Sequence, residues 1–396
     1  MSGSIQQPRL VRFGAGVAEE LAEVLALLGL SRPFVVTDAN LVELGHAGRV
    51  TDVLDRAGLA WRRFDGVVED PTDVCVDAGI EALGGGDHDC IVAVGGGSVI
   101  DCAKAVSFLA RARAGKADAH VRDWKAPATV DACGLPVIAL PTTGGTGSEM
   151  TRWCVITDTK KPDGTTEKYN LSGLACVPVA ALVDWTFTVT KPWRITADTA
   201  VDSLTHAIEA YVSRRAFPWT DALALAAMPA IAGHVRAACA DPHDGRAREA
   251  LMVAASQAGL AFSNASVALV HGMSRPIGAH FHIAHGLSNA MLLPAVTRFS
   301  VEAAPARYAD CARAMGLAGA SDDDAGACVK LVDGLDRLNG DLRVPGPAAC
   351  GIAADAWAEH APLMAAQALA SGSPANNPRV PSHDEIVALY RTVWDG

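Results

Sequence analysis

Two segments of this 396-residue sequence carry the side chains best suited to hold a metal ion. In VDSLTHAIEAY, Asp202, His206 and Glu209 stand at i, i+4 and i+7, so a helix here projects all three from one face. In HGMSRPIGAHFHIAHGLSNAMLLP, four histidines, His271, His280, His282 and His285, fall within fifteen residues. Pro276 to Gly278 predicts a helix break between them that folds His271 and His285 toward one point. One carboxylate with several imidazoles suits Fe(II), Zn, Mn or Co and is unlike the thiolate cages of structural zinc. Each segment alone has a plainer use: an Asp–His pair on a helix surface, or a solvated histidine-rich loop.

A second kind of chemistry is written in the first half of the chain. The apolar run IVAV leads straight into Gly95, Gly96, Gly97 and Ser98, with a helix beginning near Val99. Glycines at a strand-to-helix turn let backbone approach a pyrophosphate, and the helix N-terminus offers unpaired N–H groups and the positive end of its dipole. The same turn serves many proteins only as a tight connection. After PVIAL comes PTTGGTGSE, in which Thr142, Thr143, Thr146 and Ser148 can hydrogen-bond phosphate or ribose. Asp38 closes FVVTD, where a carboxylate can accept from ribose hydroxyls and repel a 2′-phosphate, favouring NAD over NADP; it can equally cap the next helix.

The elements that must position these groups follow from the apolar pattern. Through about residue 185, short continuous apolar runs alternate with helical stretches, the βαβ grammar of a parallel sheet covered on both faces. Beyond TVTKPWRITAD the text is Ala-rich and helical. The expectation is an α/β, Rossmann-like dinucleotide-binding domain over residues 1–190 and an all-helical metal-binding domain over 191–396. A net charge of −11 with no basic block argues against nucleic acid as a partner. Ten scattered cysteines without a CxxC pair fit a reducing cytoplasm, and no run of about eighteen apolar residues predicts a membrane span.

With GGGSVIDCAKAV, PTTGGTGSE, VDSLTHAIEAY and HGMSRPIGAHFHIAHGLSNAMLLP in this order, the chain resembles the iron-containing (group III) alcohol dehydrogenases nearly end to end. The resemblance implies metal ligation by Asp202, His206, His271 and His285 in the cleft between two domains. It implies iron as the metal, zinc being an alternative, since ligand type does not select between them. It implies cofactor contacts from Asp38, Gly97, Ser98, Thr142, Thr146 and Lys168, beside those read above for Gly96 and Thr143. A homodimer or higher homo-oligomer is implied as well.

One departure concerns the chemistry. Many family members carry a histidine four residues after the third ligand, where this chain has Arg275. Arg275 can hold a substrate carboxylate through its fork of donors, and His282 can relay a proton to solvent or be a structural imidazole. The implied reaction is hydride transfer between a primary or secondary alcohol, or its aldehyde or ketone, and NAD, with the metal as Lewis acid on the oxygen. Hydroxyacid–oxoacid transhydrogenase, hydroxy-acid dehydrogenase, glycerol-type dehydrogenase and dehydroquinate-synthase-like lyase are alternatives on the same fold. Phe262, Val267, Phe281 and Trp153 are candidates to line the substrate pocket or to be plain core.

Overall fold

The computed structural model describes residues 4–84, 86–125, 128–161 and 164–395. The chain divides into two compact units between Lys191 and Pro192.

The first unit contains strands β1 (Leu10–Phe13), β2 (Pro33–Val36), β3 (Arg62–Phe64), β4 (Cys90–Gly95), β5 (Val137–Pro141), β6 (Trp153–Asp158), β7 (Glu167–Ser172) and β8 (Ala180–Val183). Its helices are α1 (Leu21–Leu28), α2 (Ala39–Glu43), α3 (His46–Arg56), α4 (Asp73–Leu83) and α5 (Gly97–Arg113). Six strands form one sheet in the order β1-β8-β5-β4-β2-β3, every neighbouring pair parallel. The continuous apolar runs have a direct cause: alternate residues of one strand enter two different cores. Ile91 and Ala93 of β4 pack with Val76 of α4 and Val106 of α5. Val92 and Val94 face the other way, onto Leu21 and Leu25 of α1 and Val50 and Leu54 of α3. Helix α5 starts at Gly97, two residues before the start read from the sequence, because Gly96 already serves as its N-cap. The antiparallel pair β6–β7, with Trp153 opposite Ser172, lies outside the βαβ pattern and was not anticipated.

The second unit is helical among the described residues: α6 (Trp193–Val212), α7 (Pro218–Ala240), α8 (Gly245–Ala265), α9 (Leu269–Phe281), α10 (His285–Ser300), α11 (Pro305–Ala314), α12 (Asp324–Asp341), α13 (Ala354–Ala370) and α14 (His383–Asp395). Helix α6 is its axis, buried from Thr196 to Val212 apart from Thr199, and touched by α7, α8 and α10. Alanines at the contacts, such as Ala200, Ala207, Ala224, Ala227 and Ala258, let the helices approach closely. Helix α7 is long and apolar enough to cross a membrane by length and composition, although Asp221, His234 and Arg236 interrupt its apolar run. Its Met228, Ile231 and Val235 are instead part of the core of this unit.

Pro276 does not break the chain as its type suggested. Helix α9 runs through it to Phe281, and the donor that Pro276 lacks would have met the Gly272 carbonyl. The break comes at His282, in the left-handed region at φ 55°, followed by α10 from His285. Gly286 then presses α10 onto α6, since a Cβ there would lie 2.6 Å from the Asp198 carbonyl oxygen. Gly286→Ala is therefore expected to lower stability by about 1–3 kcal/mol, read as an earlier urea midpoint; an unchanged midpoint would show that the α6–α10 seam yields.

Candidate metal centre and nucleotide-binding loops

In the helical unit, three imidazoles turn toward one carboxylate oxygen. Asp202 and His206 come from successive turns of α6, His271 from the first turn of α9, and His285 opens α10. From Asp202 Oδ1 the distances are 3.9 Å to His206 Nε2, 3.5 Å to His271 Nε2 and 3.8 Å to His285 Nε2. These separations exceed hydrogen-bond length. They approach the roughly 3.4 Å ligand–ligand edge of a tetrahedral ion with bonds of about 2.0–2.1 Å. Asp202, His271 and His285, whose ligand atoms all lie within 4.8 Å of one another, thus fit a divalent transition metal, with His206 beside them on the Asp202 side. Asp202, His206 and His271 are buried, whereas the His285 side chain is 43% exposed, so the cluster opens on that side.

Two residues complete the arrangement. Glu209, one turn beyond His206, accepts from His271 Nδ1 at 2.7 Å and from the backbone N–H of Ala268 and Val270. That bond fixes the tautomer with the Nε2 lone pair facing the cluster. Asn289 is fully buried and brings Nδ2 to 2.7 Å from Asp202 Oδ1 and 3.2 Å from Nε2 of both His271 and His285. Its own Oδ1 has no hydrogen-bond partner among the described residues. An amide N–H group thus points into a nest of acceptors, which is where a cation is stabilised. The sequence reading put Glu209 on the ligand face without a role and missed Asn289, whose only signal is its place one turn after His285.

Electrostatics agree. Burial raises the Asp202 pKa, yet His206, His271 and His285 hold it well below the ordinary carboxylate range. Burial lowers the His271 pKa, and Glu209 with Asp202 raises it overall. The Asp202 shift keeps that carboxylate ionised, and the His271 shift marks surroundings that favour positive charge.

The other candidates in the helical unit are placed differently. His282 is exposed at the α9–α10 corner, and His280 bonds Gln367 at 2.8 Å, away from the cluster. Arg275 lies one turn beyond His271 and donates to Ser373 Oγ at 2.8 Å. Phe262 stacks on the His206 ring at 4.2 Å, while Phe281 packs on Trp357 in the core. Val267 is buried beside Ser266, which sits at φ 82°.

In the α/β unit, the loops after β2, β4 and β5 share the carboxyl edge of adjacent parallel strands, the crevice where such folds take ligands. Gly95 stands in register with Pro141. A Cβ on Gly96 would lie 3.3 Å from Thr143, and one on Gly97 would lie 2.9 Å from Thr146, so the two loops pack edge to edge. The buried hydroxyls of Thr142 and Thr143 have no hydrogen-bond partner among the described residues, and they flank the N-terminus of the 17-residue helix α5. Those hydroxyls and N–H groups fit a pyrophosphate. Ser98 is half-buried in the first turn. Asp38 caps α2 by accepting from Leu41 N–H at 2.8 Å, so the plainer of its two uses is realised. Lys168 pairs with Asp70 on the β6–β7 hairpin, and Trp153 belongs to the same hairpin. Unforeseen was Lys104 of α5, fully buried, whose Nζ bonds Ser148 O, Ser148 Oγ, Thr151 O, Thr151 Oγ1 and Trp153 O at 2.8–3.2 Å. Its partner Asp101 accepts from Ser148 Oγ. Together they clamp the loop after β5 onto α5.

Comparison with known proteins decides the family. The description Iron-containing alcohol dehydrogenase matches residues 8–185, and Fe-containing alcohol dehydrogenase family, C-terminal, matches residues 196–394. The chain belongs to the iron-containing alcohol dehydrogenase family. It is 36% identical over 385 residues to lactaldehyde reductase of Escherichia coli (strain K12), covering 96% of this chain and 97% of that one. It is 33% identical over 380 residues to the NAD-dependent methanol dehydrogenase of Bacillus methanolicus, covering 96% of each. The crystal structure of a 1,3-propanediol oxidoreductase superposes with a TM-score of 0.92 at 32% identity, over 99% of this chain and 100% of that one. As an iron-containing alcohol dehydrogenase the chain is an NAD-dependent oxidoreductase of alcohols and aldehydes, with iron and NAD as cofactors.

Glu209 governs the tautomer of His271, so Glu209→Gln is expected to weaken metal affinity by about 10- to 100-fold. Chelator competition on the refolded variant measures this; affinity equal to wild type would reduce Glu209 to a cap of α9.

Proposed function

We propose that Asp202, His206, His271 and His285 hold the catalytic metal of this dehydrogenase. The convergence of three Nε2 atoms on Asp202 Oδ1 is the observation that carries the assignment. When bound, the metal supplies Lewis acidity to the alcohol or carbonyl oxygen, and the nicotinamide carries the hydride. The chain's own residues do the rest. Asp202 supplies the one formal negative charge among the ligands, Glu209 and Asn289 orient the imidazoles, and Phe262 stacked on His206 keeps that flank apolar. His282, exposed at the helix corner, exchanges the reaction's proton with solvent. Gly96, Gly97 and Ser98 with Thr142, Thr143 and Thr146 take the pyrophosphate and its neighbouring ribose, and Asp38 and Lys168 the ribose hydroxyls.

The same proposal covers the setting. Ten free cysteines, seven of them buried, support a reducing cytoplasm, and a homodimer or higher homo-oligomer is the expected assembly. Alcohols and their aldehydes are the substrates whose oxygen such a ligand set would serve, and its carboxylate and imidazoles suit zinc as well as iron.

Apo protein reconstituted anaerobically with Fe(II) or Zn tests the metal assignment. His206→Ala is expected to lose metal and NADH formation together while retaining NADH binding by nicotinamide fluorescence; full activity with stoichiometric metal would move the site elsewhere. For Asp38, serine keeps the helix cap while removing the charge. Asp38→Ser is expected to shift the NAD-over-NADP ratio of kcat/KM toward NADP by about 10- to 100-fold, the size of one charged hydrogen bond. A ratio that stays put would leave Asp38 as a cap alone.

A further inference from the structure

Arg275 is a half-buried cation without an anion. Among the described residues it makes one hydrogen bond, to Ser373 Oγ at 2.8 Å, and no carboxylate lies within ion-pair distance. The carboxylate that acts on it through space, Glu209, is committed to His271 and to two backbone N–H groups. Among the described residues, the other arginines of this unit without a carboxylate partner, Arg248 apart, are exposed: Arg214, Arg215, Arg246, Arg337, Arg343 and Arg391. Arg194, Arg236, Arg298, Arg307, Arg313 and Arg379 each pair with a carboxylate. Arg248, also buried and unpaired, gives its donors to Pro242 O, Ala238 O and Thr196 Oγ1. Burial draws the Arg275 pKa down to about 10, which still leaves it charged at neutral pH.

Its location gives that charge a meaning. Arg275 and His271 are i+4 and i on α9, and a long helical side chain leans back over the residue one turn before it. The four residues separate them by roughly 6 Å along the helix axis. The seat is firm: a Cβ on Gly272 would lie 2.8 Å from Pro374, so the segment bearing Ser373 is packed against α9. The structure points to an acid-bearing substrate: we propose that Arg275, with Ser373, binds a carboxylate or similar anionic group a few bonds from the reacting carbon, making this enzyme selective for small hydroxy acids and aldehyde acids. A guanidinium forks onto such a group through two donors, and only one is engaged by Ser373. This inference rests on the metal assignment above, since the reacting oxygen must lie at the His271 cluster.

The test compares 3-hydroxypropanoate and 4-hydroxybutanoate with 1,3-propanediol and 1,4-butanediol on the Fe(II)-loaded holoenzyme. Wild type is expected to favour the acids in kcat/KM. Arg275→Gln is expected to lower the acid-over-diol ratio by about 100-fold, chiefly through KM, with partial recovery in Arg275→Lys. Butanoate is expected to inhibit wild-type diol oxidation competitively, a reading that needs no variant. Preference for diols with no inhibition by butanoate overturns the inference and leaves the metal assignment standing. A rise in the Kd for NAD in Arg275→Gln, in place of the acid KM, also overturns it and gives the guanidinium to the cofactor's phosphates. Absence of metal-dependent turnover on either series overturns both.

Discussion

Everything in the helical unit is arranged around two carboxylates that water does not reach. Asp202 and Glu209 lie two turns apart on the most buried helix of the unit. A buried negative charge is tolerated only when it is paired and hydrogen-bonded. Glu209 is settled by two backbone N–H groups and one imidazole. Among the described residues, Asp202 is settled by Asn289 and by imidazoles 3.5 Å or more away, an arrangement that one divalent ion between them would complete. The need to keep these atoms in place explains why α6 is packed on nearly all sides, why α9 starts on the Glu209 carboxylate, and why α10 is pressed onto α6 through a glycine.

The α/β unit solves a different problem with the same means. Its loops must present backbone and hydroxyl groups to an anion, and such loops are mobile unless something holds them. Lys104 does so from beneath, saturated by oxygens of the very segment that follows β5. Helix α5 therefore has two functions along its length. Its first turn faces the ligand crevice, and its second and third turns fasten the neighbouring loop.

How much of this was legible in the sequence depended on whether a residue acts through local spacing or through distant contact. Asp202 and His206 at i and i+4, and the strand-to-helix glycines, signal their geometry within one turn of chain, so both were readable. Pro276 was misread because a proline inside a helix is an ambiguous signal: α9 continues through it to Phe281, and the reversal falls to His282. Lys104 and Asn289 were invisible for another reason. The oxygens that hold Lys104 lie 44 to 49 residues away and the carboxylate that accepts from Asn289 lies 87 away, and a buried lysine or asparagine looks in sequence like any polar residue on a helix. The β6–β7 hairpin was missed because its alternation of buried and half-buried residues is short and the surrounding βαβ rhythm masks it.

A division of labour follows from where the charges sit. The ligands act on an oxygen that every alcohol possesses, so they cannot by themselves distinguish one substrate from another. Discrimination has to come from groups that meet the rest of the molecule, and the strongest discrimination comes from a polar group left unpaired until the right ligand arrives. Phe262 is apolar and indifferent to small changes in chain length. Arg275 is not indifferent: half-buried, charged, and bound to one neutral hydroxyl, it is better satisfied by an anion than by any neutral diol. On the proposal that Arg275 meets the substrate, substitution at this single position would redirect this dehydrogenase between substrate classes while leaving the metal ligands and the cofactor loops as they are.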